Sequence, residues 1–226
     1  MSKIERRETL AKHGHGGALM DATTTDEACR HGPLAGFVRS SGNVTARPLG
    51  IDGPLLLSIR RFGDARGYFM ETYSEQNFRA VGVSASFVQD NQSLSAHPGT
   101  LRGMHFQLPP RAQAKLVRVL RGAILDVVVD LRRASPTFGR HVAVTLTAEG
   151  AEQFYVPAGF AHGFVTLVPD TEVAYKVTDY YAPECDRGLA WDDPELALPW
   201  PARPGGPVLS EKDRKHPCLR DLPAAF

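Results

Sequence analysis

The 226-residue chain has no excess of either charge: 26 Lys and Arg stand against 25 Asp and Glu. Nucleic acid and anionic membranes draw proteins through a bulk positive field, and this chain offers none. Any anion site must therefore be a local cluster of Arg and Lys. Cysteine is scarce. Cys29, Cys185 and Cys218 are widely separated and odd in number. They show no C-x-x-C metal spacing and suit a reducing cytosol. No apolar run approaches the ~20 residues a bilayer-spanning helix needs. Met1 to Lys12 mixes both charges and no apolar h-region follows, unlike a secretory signal. Long helical periodicity and internal repeats are missing too. The expectation is a soluble cytoplasmic protein, with neither nucleic acid nor membrane as partner.

What is present falls into two parts. Residues 1–53 hold a His-Gly tract (His13 to Gly17), a Thr23-Thr24-Thr25 run and little sustained apolar periodicity. This composition predicts a flexible N-terminal extension. From residue 54 to 226, short strands alternate with turns. Leu55 to Phe62, Tyr68 to Tyr73, Phe87 to Leu94 and Thr100 to Gln107 read as strands, with a brief helix capped by Ser74 between the second and third. Lys115 to Leu120, Ile124 to Leu131, His141 to Thr147, Gln153 to Val156, Gly163 to Leu167 and Glu172 to Thr178 continue the series. Many short, evenly spaced strands with Gly and Pro turns predict an all-β sandwich or barrel. Beyond Trp191 a proline-rich stretch is expected to wrap the surface and end in a helical turn at Ser210 to Lys215.

Two strands carry histidine. Leu101-Arg102-Gly103-Met104-His105-Phe106-Gln107 is answered by Pro157-Ala158-Gly159-Phe160-Ala161-His162, with Lys115 between them. The Pro157-x-Gly159-x-x-His162 element resembles the second motif of the cupin superfamily of small β-barrels. In metal-binding cupins the first motif supplies His-x-His and a nearby Glu. Here Gln107 replaces the second histidine, the Glu is missing, and Arg111 and Lys115 occupy that neighbourhood. A glutamine is a poor ligand for zinc or iron, and a lysine beside a divalent cation costs Coulomb energy. Proton chemistry is the favoured reading, with no metal and no other cofactor.

A neutral imidazole can take a proton from carbon if the carbanion is delocalised into an adjacent carbonyl. His105 is of the type to be that base, and Lys115 of the type to hold the enolate oxygen. Epimerisation also needs an acid on the opposite face of the carbon. Tyr175, protonated at its ordinary pKa of ~10, is a candidate, and Asp213 is a candidate to orient the base. His162 can be read as a barrel histidine or a substrate contact, and Asp126 and Asp130 as buried structural groups.

From about Pro54 to Lys215 the chain resembles the dTDP-4-dehydrorhamnose 3,5-epimerase family of cupin-like jelly-roll fold. The resemblance is carried by Phe62-Gly63-Asp64-x-Arg66-Gly67, Phe87-Val88-Gln89-Asp90-Asn91, the His105 strand, Lys115-Leu116-Val117-Arg118, Ser135-Pro136-Thr137-Phe138-Gly139, Gly159 to Phe164, Tyr175-Lys176 and Leu209-Ser210-x-Lys212-Asp213. It implies His105 as base, Tyr175 as acid, Lys115 as enolate stabiliser and Asp213 as the partner of His105. It further implies contacts to a dTDP-sugar from Arg66, Glu71, Gln89, Asp90, Asn91, Arg102, His162, Asp186 and Lys212. In the family, N-terminal strands cross to the second subunit of a homodimer, so Arg66 and Glu71 would serve the partner's site. Asp186 stands where the family commonly has Glu, and residues 1–53 match no part of it. Two rival classes remain: a metal-dependent cupin oxygenase and a non-catalytic sugar-nucleotide binding module. Within the epimerase class, the rival acts at one carbon only.

Overall fold

The computed structural model describes residues 37–226; the His13 to Gly17 tract lies outside them. In chain order the strands are β1 (Arg39–Ser41), β2 (Val44–Pro48), β3 (Leu55–Ile59), β4 (Phe62–Asp64) and β5 (Gly67–Phe69). Helix α1 (Glu75–Ala80) precedes β6 (Gln89–Ser95), β7 (Leu101–Gln107), β8 (Lys115–Arg121), β9 (Ala123–Asp130) and β10 (His141–Thr147). The last are β11 (Glu152–Val156), β12 (Phe160–Thr166), β13 (Thr171–Val177) and β14 (Asp186–Gly188). Two antiparallel sheets result. One has the order β1-β2-β3-β11-β8-β13-β6, the other β10-β9-β12-β7-β14. They face each other as a jelly roll, in agreement with the expected class.

Alternation of side chains along each strand divides the apolar residues into three layers. Val117 and Val119 of β8, Ile124 and Val128 of β9, Phe160 and Phe164 of β12 and Val173 of β13 fill the space between the sheets. Leu57, Ile59 and Leu116 face outward from the larger sheet and pack beneath α1. Ser74 caps that helix, accepting a bond from the Asn77 amide, and Phe78 is its buried anchor. Burying a side chain of this size stabilises by about 1.5–3 kcal/mol. Met104, Phe106, Val127 and Val129 face outward from the smaller sheet and pack under Leu189, Leu196 and Leu222. The C-terminal stretch does wrap the surface, anchored where the Trp200 indole donates to the Trp191 carbonyl at 2.7 Å. It then delivers a 3-10 turn, Asp213–Lys215, beside β7.

Two boundaries differ from those read in the sequence. β1 and β2 fall within the stretch grouped with the extension, yet β2 pairs with β3 from Val44↔Ile59 to Pro48↔Leu55. The sheet thus begins upstream of residue 54. The strand expected over Tyr68 to Tyr73 ends at Phe69, and β4 and β5 form a separate hairpin. Tyr73 instead packs edge-on against Phe78 and Phe87.

Candidate active site

His105 on β7 lies directly opposite His162 on β12. Residues three apart on a regular strand face opposite sides, so Arg102 and His105 could not both look into the barrel. A bulge changes this. The register runs His162↔His105 and then Phe164↔Arg102, leaving Gly103 and Met104 together opposite Gly163. Arg102 therefore shares the interior face of Phe164, and its Nε donates to the Ser95 hydroxyl at 3.2 Å. Re-aiming a side chain beside a site is a common use of a bulge. The backbones meet so closely that both glycines are needed. A Cβ on Gly103, whose φ is +140°, would lie 2.4 Å from the Cα of Gly163, and one on Gly163 would lie 2.7 Å from the Met104 sulfur.

The opposite wall is set by register alone. Tyr175 on β13 lies opposite Asn91 and Val117, and Val177 lies opposite Gln89 and Lys115. Directly paired residues share a face, and Val117 is interior. Gln89, Asn91, Lys115 and Tyr175 hence form one inward patch, with the Gln89 amide donating to Asn91 at 2.9 Å. Lys115 rises from this wall but reaches across, its Nζ donating to the His105 carbonyl at 3.2 Å. His105 and Lys115 are thereby brought together, with Tyr175 on the facing sheet.

Not every expected residue joins them. Asp90 sits one position out of phase, on the outer face, where Lys176 Nζ donates to its carboxylate at 2.9 Å. Arg66 is on the β4–β5 hairpin, 90% exposed and paired with Asp64. Glu71 follows that hairpin and accepts from the Asn77 amide at 3.1 Å. Asp186 on β14 forms an ion pair with Lys212 and accepts from the Tyr181 hydroxyl at 3.0 Å. Gln107, at the position of a cupin metal ligand, is buried and tied to backbone: its amide donates to the carbonyls of Arg111 and Tyr180, and its oxygen accepts from the Ala182 amide.

The charges are arranged for proton transfer. His105 Nε2 lies 2.6 Å from Asp213 Oδ1. The Asp213 amide donates to the Ser210 hydroxyl at 3.1 Å, which fixes the turn. Burial opposes ionisation of Asp213, but the His105 bond and the nearby His216 imidazole outweigh it and hold the carboxyl well below its usual range. With Nε2–H donating to a carboxylate, the imidazole's other nitrogen, Nδ1, keeps a free lone pair. Burial pushes the His105 pKa below its ordinary value against the pull of Asp213, and the Lys115 charge adds to that push. The ring is neutral at pH 7. Burial also lowers Lys115, to about 8, with Asp126 and Asp186 resisting, so at pH 7 it is mostly cationic. Burial raises the Tyr175 hydroxyl above its usual value, with Arg102 opposing.

Two residues here escaped the sequence reading. Asp126, taken as structural, is fully buried with Oδ1 2.8 Å from His162 Nε2, although the two are not aligned for a hydrogen bond. The available signal was a carboxylate at an inward position of a β-branched run. His216, three residues past Asp213, had no signal at all.

Comparisons with known proteins give the family. The family model described as dTDP-4-dehydrorhamnose 3,5-epimerase matches residues 48–221. The chain belongs to that family. A dTDP-4-dehydrorhamnose 3,5-epimerase of Sinorhizobium fredii is 54% identical over 171 residues, covering 76% of this chain and 87% of the relative. The crystal structure of the Bacillus anthracis enzyme with TDP and PPi bound is 49% identical with a TM-score of 0.71, covering 76% of this chain and 99% of that one. The Legionella pneumophila enzyme in complex with dTDP-4-keto-L-rhamnose is 41% identical with a TM-score of 0.75, covering 80% and 95%. As a member of the epimerase family the chain is an isomerase. Its family match begins inside β2, in line with a sheet that starts before residue 54.

Proposed function

We propose that this protein epimerises dTDP-4-dehydro-6-deoxy-D-glucose at C3 and C5, giving dTDP-4-dehydro-L-rhamnose. His105 Nδ1 takes the proton from the carbon next to the C4 ketone, and the electron pair of that C–H bond moves onto the ketone oxygen. Lys115 holds the resulting enolate oxygen. Tyr175 donates a proton to the other face of the carbon as the enolate collapses back to the ketone, inverting the centre. Asp213 stabilises the imidazolium that forms, and both His105 and Tyr175 re-equilibrate with solvent before the second carbon reacts. The chemistry needs no metal or redox cofactor.

One observation carries this reading: His105 and Tyr175 stand on the two facing sheets with Lys115 beside the base. A sugar ring between those walls meets a base on one face and an acid on the other. A positioned histidine base contributes roughly 10²–10⁴-fold. Arg102, Lys212 and His162 are the polar groups for the pyrophosphate and sugar, with Arg102 able to make charge-assisted contacts. Gln89 and Asn91 are suited to the thymine edge, and Asp186 takes the place of the family's Glu through its tie to Lys212. Asp90 faces away, and its part is to hold β13 through Lys176.

The working form is a homodimer in which Arg66 and Glu71 complete the partner's site. What supports this is the hairpin: Tyr68 and Phe69 are 61% and 68% exposed, an apolar surface that a partner would cover. No helix among the described residues is long and apolar enough to cross a membrane, and the cysteine usage favours the cytoplasm. The test is turnover in heavy water followed by NMR. Deuterium is expected at both C3 and C5 of an inverted product. Incorporation at one carbon would make it a single-carbon epimerase, and none at either would reject the reading.

A further inference from the structure

The pair His105–Asp213 has a third member that the epimerisation does not use. His216 is 90% buried, and its Nε2 lies 3.6 Å from Asp213 Oδ1, too long for a hydrogen bond. That nitrogen has no hydrogen-bond partner among the described residues. Leaving a buried polar atom unpaired is unfavourable, so its placement calls for a reason. The surrounding chain is shaped to admit the ring. Gly188 on β14 pairs with His105 across the sheet, and a Cβ there would fall 2.3 Å from Nε2 and Cε1 of His216. A side chain at position 188 and an imidazole at 216 exclude each other.

The ligand atoms of His105, Asp213 and His216 all lie within 4.8 Å of one another, and Asp213 Oδ1 is 2.6 Å from one imidazole nitrogen and 3.6 Å from the other. Two imidazole nitrogens and one carboxylate oxygen form a set that zinc accepts, with metal-to-ligand distances of about 2.0–2.2 Å and a fourth position left for water. Hard ions such as magnesium prefer oxygen ligands. This is not the cupin metal position, which Gln107 occupies with its amide committed to backbone.

We propose that His105, Asp213 and His216 form a binding site for a zinc-type divalent ion, and that filling it switches the enzyme off. The metal takes the lone pair of His105 Nε2, and the single proton of the neutral ring moves from Nε2 to Nδ1 through solvent, with no net release. Nδ1 is the nitrogen that must accept the substrate's proton, so the base is blocked. Lys115 and Lys212 lie within electrostatic range of His105 and limit affinity. The ionised Asp213, and Asp186 paired with Lys212, counter them. The blocking half of the proposal rests on His105 being the base; the site itself does not.

The experiment is calorimetric titration of the chelator-stripped full-length chain with zinc chloride, with magnesium chloride as control, beside deuterium-exchange assays at the same free zinc. The wild type should bind one equivalent more zinc than His216→Ala. The variant's half-inhibitory concentration should rise at least 10-fold, since loss of even an outer-shell partner weakens metal sites about 10–100-fold. Comparing the two chains cancels zinc taken by His13, His15 or the cysteines. Gly188→Ala, which displaces the ring but keeps His216, should lose the same equivalent and decides the matter if His216→Ala does not fold. Equal stoichiometry and equal inhibition in wild type and variants would overturn the site. A lost equivalent without any inhibition of the wild type would instead overturn His105 as base.

Discussion

Two histidine–carboxylate pairs, His105–Asp213 and His162–Asp126, have their histidines on neighbouring strands, and they are built to opposite ends. His105 and Asp213 meet at 2.6 Å in good alignment, with the His105 side chain about a third exposed (32%) toward the interior. His162 and Asp126 meet at 2.8 Å without alignment, at 7% and 0% exposure. An imidazole that exchanges protons with a ligand must be reachable and must have its tautomer set by the other nitrogen. Only the first pair meets both conditions. The second is closed to solvent, and its use lies in Lys115: Asp126 resists the fall of the lysine pKa that burial drives. One pair is arranged to accept a proton, and the carboxylate of the other favours the charged form of Lys115.

The contrast breaks most directly at His105. His105→Ala should lower deuterium exchange by about 10²–10⁴-fold or more while dTDP binding, read by calorimetry, persists. Retained exchange would place the base elsewhere. Lys115→Met should lower turnover by about 10²–10³-fold, the size of a lost oxyanion donor, and Lys115→Arg should not restore it. The other pair should answer more in stability than in rate. His162→Ala opens a cavity beside the buried Asp126 and should cost about 0.5–3 kcal/mol in denaturant unfolding, with a smaller loss of turnover than His105→Ala. Equal losses would erase the distinction.

The smallest effect expected is in pH. Metal-free enzyme should lose turnover above about pH 8 as Lys115 loses its charge. On the acid side it should persist below the ordinary histidine range, because the His105 pKa is depressed. Stability follows the same sign on that side. In the folded state His105 and Asp213 both bind protons less readily than in the unfolded chain, so their contributions are complete at neutral pH. They are lost as pH falls, first through the histidine range and then through that of Asp213.

Much of this was legible because strand alternation and motif order are local properties. The strands bearing His105, Lys115, Asp126 and Tyr175 were found, and so was the Ser74 cap. β1 and β14 were not, since three residues carry no measurable period, and β2 is interrupted by polar residues. Alternation also held an unused lesson: Gln89, Asp90 and Asn91 are consecutive on one strand and cannot all face a ligand. His216 was invisible for another reason. Its partner glycine lies 28 positions away, and only the fold brings the two together.

The bulge at Gly103 also bears on anyone who recombines these enzymes. The Arg102–His105 segment is not a portable cassette: its aim depends on a hydrogen at Gly163, in a strand some sixty positions downstream. A graft that carries the upstream segment without its downstream counterpart would keep every catalytic letter and point one of them at the wrong wall.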